Sequence, residues 1–189
     1  MLSPDATLID VAFAVCTALD HAGERALLVG GSAATFYAPD AYQSSDCDFI
    51  LALGPDAKDV TSSPESVGFH RVGEGIFRHA DLIYTVEFPK GPAQIGIDYI
   101  VTHATVHRGD EILHVYTPTD VVRDRLIHFW AWGDYNGLRV ALDVATARRS
   151  EVNYEEIVAW TDREFHAAPA AYDRVRRELF LADLRKILD

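Results

Sequence analysis

Asp46-Cys47-Asp48 opens the apolar run from Asp46 to Leu53 (DCDFILAL). Side chains alternate along a strand, so residues two apart share a face. Asp46 and Asp48 would then project together, and two ionised carboxylates on one face repel, the more so when buried. The arrangement is stable with a cation between them, or at a strand end open to water. Upstream, the apolar stretch from Ala26 to Val29 ends in Gly30-Gly31-Ser32. A strand that stops at glycines and opens a helix points backbone N–H groups outward, and glycine lets a phosphate approach closely. Taken singly, a Gly-Gly-Ser turn is an ordinary tight connection and an Asp-x-Asp an ordinary solvated edge. Taken in this order and at this separation, they set hard oxygen ligands for a divalent cation beside a cradle for phosphates. That is the equipment for nucleotidyl transfer, in which Mg²⁺ or Mn²⁺ bridges a triphosphate.

The elements that must position these groups can be read from periodicity and punctuation. Ser3-Pro4 suits an N-cap and first helical position. Leu8, Val11, Ala12, Val15 and Leu19 follow at helical spacing, and Gly23 closes the helix. A strand over Ala26 to Val29, a short helix over Ser32 to Tyr37 and the strand Asp46 to Leu53 come next, then a short helix near Pro64-Glu65-Ser66. From Phe69 to Tyr116 the pattern is strands and turns. LIYTVEF (Leu82 to Phe88) and IGIDYIV (Ile95 to Val101) are the strongest strands, and Gly109-Asp110 marks a hairpin. At Thr117-Pro118 the period becomes helical. Four helices are expected: Pro118 to Trp132, Tyr135 to Arg149, Tyr154 to Phe165 and Pro169 to Leu188. The division is an α/β domain over 1–116 and a helical segment over 117–189 packed on it.

Composition excludes several classes. Nearly half of the 189 residues are hydrophobic, as in a folded globular chain rather than a disordered one. No apolar run reaches the ~20 residues that span a bilayer, and the N-terminal residues lack a signal-peptide pattern. Cys16 and Cys47 follow no metal or redox spacing and read as small core residues, which suits a reducing cytoplasm. With 17 Lys and Arg against 29 Asp and Glu the net charge is −12, and no basic run is present. A long nucleic-acid duplex is therefore not an expected partner, although a local pocket for a nucleotide or an RNA end is compatible with this charge.

The strand, Gly-Gly-Ser, helix and Asp-hydrophobic-Asp order resembles the polymerase-β-like nucleotidyltransferase superfamily, with Gly30, Gly31, Ser32, Asp46 and Asp48 at its signature positions and the apolar Cys47 between the acids. The segments VEFPKGP and TPTDVVRDRLIHFWAWGD, and the helices after them, are similar to bacterial nucleotidyltransferase-like proteins of the AbiEii toxin type. The resemblance covers nearly the whole chain. It implies a nucleotidyltransferase fold, a mixed α/β sheet flanked by helices with a C-terminal helical segment. It implies triphosphate binding by Gly30, Gly31 and Ser32, and metal binding by Asp46, Asp48 and a third acid on a neighbouring strand. Glu87 in YTVEFP and Asp98 in IGIDYIV both fit that third position. Glu87 is preferred because its segment is the more family-like, whereas Asp98 has the more usual side chain. The resemblance also places a basic residue near the start of the first C-terminal helix, and Arg125 is the choice for gripping phosphate.

The implied activity is transfer of a nucleoside monophosphate from an NTP to a hydroxyl on a small molecule, protein or RNA. Two other readings remain: a nucleotide- or partner-binding domain in a toxin–antitoxin pair, with a cognate partner protein, and a phosphate-ester hydrolase, which the Gly-Gly-Ser turn suits less well. Arg78-His79 near a strand end is a weaker phosphate-contact candidate. His128, Trp130 and Trp132 read as core rather than as a base-stacking platform, and the remaining histidines show no metal-ligand pairing.

Overall fold

The computed structural model describes residues 2–51, 62–100 and 102–189. The chain runs α1 (Leu8–His21), β1 (Ala26–Val29), α2 (Gly30–Tyr37), β2 (Asp46–Leu51), α3 (Ser62–Ser66), β3 (Phe69–Gly73), β4 (Ile76–His79), β5 (Thr85–Glu87), β6 (Gln94–Ile95), β7 (Asp98–Tyr99), β8 (Ala104–Arg108), β9 (Glu111–Val115), α4 (Pro118–Trp132), α5 (Tyr135–Ala147), α6 (Tyr154–Ala167) and α7 (Arg174–Leu188). Seven strands form one mixed sheet in the order β3-β4-β5-β2-β1-β9-β8, and β6 and β7 form a separate ribbon. β1 runs antiparallel to β2 and parallel to β9, and β2 runs parallel to β5.

Alternation divides the sheet into a covered and a more open face. Leu28, Cys47, Phe49, Val86, Phe77 and Val115 are buried on the covered face. There α1 lies across the strands, and the Cys47 thiol meets the Leu8 carbonyl at 3.6 Å. Burial pushes both the Cys16 thiol, to about 11, and the Cys47 thiol upward. Both are inert core groups, as expected from their place in the pattern.

Helix starts differ from expectation: α2 takes in Gly30 and Gly31 ahead of the expected Ser32, α3 begins at Ser62, and the largest shifts are at α1 and α7. α1 begins after Thr7, not Ser3: Thr7 and Asp10 form a reciprocal capping box, which satisfies two helix-end donors where Ser3-Pro4 would satisfy fewer. α7 starts after Asp173 rather than at Pro169, because the Asp173 side chain accepts from the Arg176 N–H. By contrast, α4 starts at Thr117-Pro118 as read, with Thr117 accepting from the Asp120 N–H and Pro118 in the first turn. Gly133 closes it in a left-handed conformation at φ 73°.

The strand reading also needs correcting. LIYTVEF contributes only Thr85–Glu87 to the sheet. IGIDYIV is not one strand: Gly96, at φ 61°, turns the chain back on itself, so Ile95 pairs with Asp98. A left-handed glycine is cheap at such a turn and costly for other residues. Residues 52 and 53 of the expected second strand, and Val101, lie outside the described residues.

The C-terminal helices enclose an aromatic core. Trp130 stacks on Tyr172 at 4.2 Å and meets the Trp160 edge at 5.7 Å and the Phe180 edge at 5.8 Å. Trp130 is fully buried, whereas Trp132 is exposed. Among the described residues, no helix is long and apolar enough to cross a membrane.

Candidate active site

The site is set by register. Asp48 pairs with Val29 on one side and with Glu87 on the other, while Asp46 pairs with Thr85. Directly paired residues share a face, so Asp46, Asp48, Glu87 and Thr85 all project from the open side of the sheet. The Thr85 hydroxyl lies 3.4 Å from Glu87 Oε1, and the Ser45 hydroxyl donates to Asp46 Oδ1 at 2.7 Å.

β1 delivers the glycine turn to this pair. Gly30 is left-handed at φ 64°, and a Cβ built on it would lie 2.8 Å from Asp48 Oδ2. The backbone therefore passes the carboxylate as closely as a side-chain-free residue permits. Ser32 ties the two motifs together: its hydroxyl donates to the Val29 carbonyl at 2.8 Å and accepts from the Asp48 N–H at 3.1 Å. A Cβ on Gly31 would in turn meet Ser44 Oγ at 2.9 Å and Tyr42 Oη at 3.1 Å.

Electrostatics reflect this crowding. Burial, then the charges of Asp46 and Glu87, push Asp48 up to about 7, and the Arg125 guanidinium acts in the opposite direction. Arg125 reaches the site from α4, held by Asp124 Oδ2 at 2.6 and 3.0 Å. Arg78 lies on the same rung as Asp46, opposite Thr85, while His79 packs edge-on against Phe69.

Asp98 stands elsewhere. Its carboxylate is clamped by Arg123 of α4 at 2.6 Å and Arg163 of α6 at 2.5 Å. Burial works to raise its pKa, but the hydrogen bond from Arg163 and the charges of both arginines hold it below the usual carboxylate value. The nearby Glu164 carboxylate accepts from Ile97 N at 2.6 Å, Tyr172 Oη at 2.8 Å and Trp160 Nε1 at 3.0 Å. Of the two acids considered for the third position, Glu87 is the neighbour of Asp48, and Asp98 is an anchor that pins the β6–β7 ribbon to the C-terminal helices. The reason is the Gly96 turn, which removes Asp98 from the main sheet.

Among the described residues, no group of three or more His, Cys, Asp and Glu side chains is gathered into a metal cage. What Asp46 and Asp48 offer is a pair of hard oxygen donors on one face, with Glu87 alongside. This suits Mg²⁺, which binds through one or two carboxylates and completes its shell with waters and substrate phosphates. The weakened acidity of Asp48 marks a place where positive charge would be stabilising.

Sequence reasoning missed Asp124 as the residue that holds Arg125, and Thr85 as a member of the acidic rung. Asp124 was visible only as the sequence neighbour of Arg125, whereas the place of Thr85 depends on cross-strand register.

No family model matches this chain, and no curated protein does. Solved structures do match. An antigenic nucleotidyltransferase-like protein from Paracoccidioides brasiliensis superposes with a TM-score of 0.58 at 14% identity, over 87% of this chain and 91% of that one. A candidate nucleotidyltransferase from H. pylori gives 0.47 at 10% identity, over 96% and 90%. The antibiotic-resistance factor ANT(2'')-Ia gives 0.45 at 12% identity, over 85% and 96%. With the mixed sheet and its flanking helices, the first of these likenesses shows that the chain has the nucleotidyltransferase fold.

Proposed function

We propose that the protein transfers a nucleoside monophosphate from an NTP to an acceptor hydroxyl in a metal-dependent reaction. The observation that carries this reading is the convergence of Asp46, Asp48 and Glu87 on one sheet face beside the Gly30-Gly31-Ser32 turn. Each residue has a role that its position supports. Backbone N–H groups at the start of α2 bind the β- and γ-phosphates, helped by the helix dipole. Asp46 and Asp48 hold Mg²⁺, which when bound neutralises triphosphate charge and makes the attacking hydroxyl more acidic. Glu87 accepts the hydroxyl proton as the new O–P bond forms. Arg125 offsets negative charge on the phosphates. The α–β phosphoanhydride bond breaks and pyrophosphate leaves with its electron pair.

The test is thermal unfolding with each of the four NTPs, with and without Mg²⁺ or Mn²⁺, followed by assay of pyrophosphate release. Binding to the native state at a hundredfold excess over Kd adds about 2.7 kcal/mol, or roughly 2–4 °C per kcal/mol for a chain of this size. The expected shift appears only with metal, is lost in Asp48→Asn, and is kept in Glu65→Gln, an exposed acid on α3. Metal-dependent binding without pyrophosphate release would favour the nucleotide-binding, toxin–antitoxin reading. No response to any NTP would leave only the fold.

A further inference from the structure

A cavity of about 620 Å³ lies on the open sheet face, its floor two residues along the strands from Asp48. Its floor is Leu27 and Ile50, which pair with each other on the same face as the Val29–Asp48 rung, two residues along the strands. Two residues along a strand is about 6.8 Å. Its other side comes from the segment 91–103, including Ile100 and His103. That segment carries the ribbon anchored through Asp98 and the Ile97 N–H. The cavity wall is thus tied down by partly buried ion pairs and a hydrogen bond.

The position of the cavity relative to the motifs is informative. The Val29–Asp48 rung separates the two: Gly30 lies beyond Val29 on one side, and the Leu27–Ile50 floor lies on the other. In-line displacement at the α-phosphorus requires the attacking oxygen and the leaving pyrophosphate on opposite sides of that atom. With phosphates at Gly30–Ser32, the cavity lies on the side from which an acceptor must approach.

The lining chemistry narrows the occupant. In a chain of net charge −12, the cavity is lined by Arg25, His103 and His114 and by no carboxylate among the described residues. The remaining lining is largely apolar. His114 is 6% exposed. Its Nδ1 is paired with the Thr105 hydroxyl at 2.9 Å, but its buried Nε2 has no hydrogen-bond partner. Asp20 Oδ1, at 3.6 Å, is within ion-pair range and too far for a hydrogen bond. His114 therefore forms part of the wall, and the exposed Arg25 is the charged group that the cavity presents.

We propose that this cavity is the acceptor site of the transfer reaction proposed above, and that it takes a small hydroxyl compound with an apolar body and an anionic group. The anionic group is received by Arg25 with His103 beside it, the body lies on Leu27 and Ile50, and the hydroxyl faces Asp48 and Glu87. A cavity of this size admits a small molecule and not a folded macromolecule.

The test is ligand-observed NMR on the full chain with three probes: 4-hydroxyphenylacetate, its neutral amide, and phenyl phosphate. At least one anionic probe should bind tenfold or more tightly than the amide, and the better of the two identifies carboxylate or phosphate as the preferred group. Arg25→Met, on the exposed rim, should weaken anion binding at least fivefold, and Ile50→Trp, which fills the floor, should abolish it. Both variants should retain the Mg²⁺-dependent NTP shift, which also reports that they fold. Equal binding of the amide, or anion binding unchanged in both variants, overturns the proposal. Absence of probe binding beside an intact NTP shift overturns the cavity assignment alone. Absence of the NTP shift in the wild type, whatever the probes do, overturns the transfer reading and the acceptor role with it.

Discussion

Asp48→Asn should make the metal-free protein more stable at pH 8. Asp48 is a partly buried carboxyl whose pKa is pushed from 3.8 to about 7 by burial and by Asp46 and Glu87. The unfolded chain holds this group near its ordinary value, so at neutral pH and above the folded state bears the full cost of ionising it. A displacement of this size corresponds to ~4 kcal/mol at the limit, and partial exposure to water reduces it to ~2 kcal/mol. Asparagine preserves shape and removes the charge. The sign follows from linkage: the folded protein binds more protons than the unfolded chain between pH ~4 and ~7, so wild-type stability falls as pH rises through that window and levels off above it. Asparagine does not titrate. Its advantage should be ~4–8 °C in Tm at pH 8 and should vanish by about pH 4. Addition of millimolar Mg²⁺ with NTP should reverse the ranking, because only the wild type gains the bound cation. Differential scanning calorimetry from pH 4 to 8, in chelator and then in Mg²⁺–NTP, reads all three effects. A variant no more stable than wild type at pH 8, or one whose advantage is the same at pH 4, would refute the argument that like-charge repulsion and burial govern this site.

Other perturbations separate catalytic from structural acids. Glu87→Gln should lower pyrophosphate release a hundredfold or more with the fold intact, whereas Asp98→Asn should lower Tm but leave the KM for NTP unchanged, because Asp98 is committed to Arg123 and Arg163. Gly30→Ala should cost about 1–2 kcal/mol in urea unfolding, from its left-handed backbone, and should also abolish NTP binding, because the new Cβ meets Asp48. Arg125→Met should raise the KM for NTP about tenfold, the equivalent of ~1.4 kcal/mol of lost phosphate interaction. Glu164→Leu should destabilise the fold by ~3 kcal/mol or more, as it strands the donors of Ile97, Tyr172 and Trp160.

The local chemistry of this protein was legible in the order of its residues. Period-two spacing put Asp46 and Asp48 on one face, glycine at 30 announced the turn, and Thr117-Pro118 marked the start of α4, because each depends on neighbours within a few positions. The helices at 135–147 and 154–167 were equally plain from their 3.6-residue repeat. Partners distant in the chain were not legible. That Glu87 rather than Asp98 lies beside Asp48 was decided by β2–β5 register and by one left-handed glycine that folds IGIDYIV into a ribbon. The cavity was invisible for the same reason. His114 sits in EILHVYT, where alternation separates it from Leu113 and Val115, but nothing local joins it to Arg25 and His103. Those three side chains meet around one cavity only when β9 pairs beside β1 in the folded sheet. Short-range preferences set the motifs, and long-range packing, whose energy is shared among many weak contacts, chose which charges face one another.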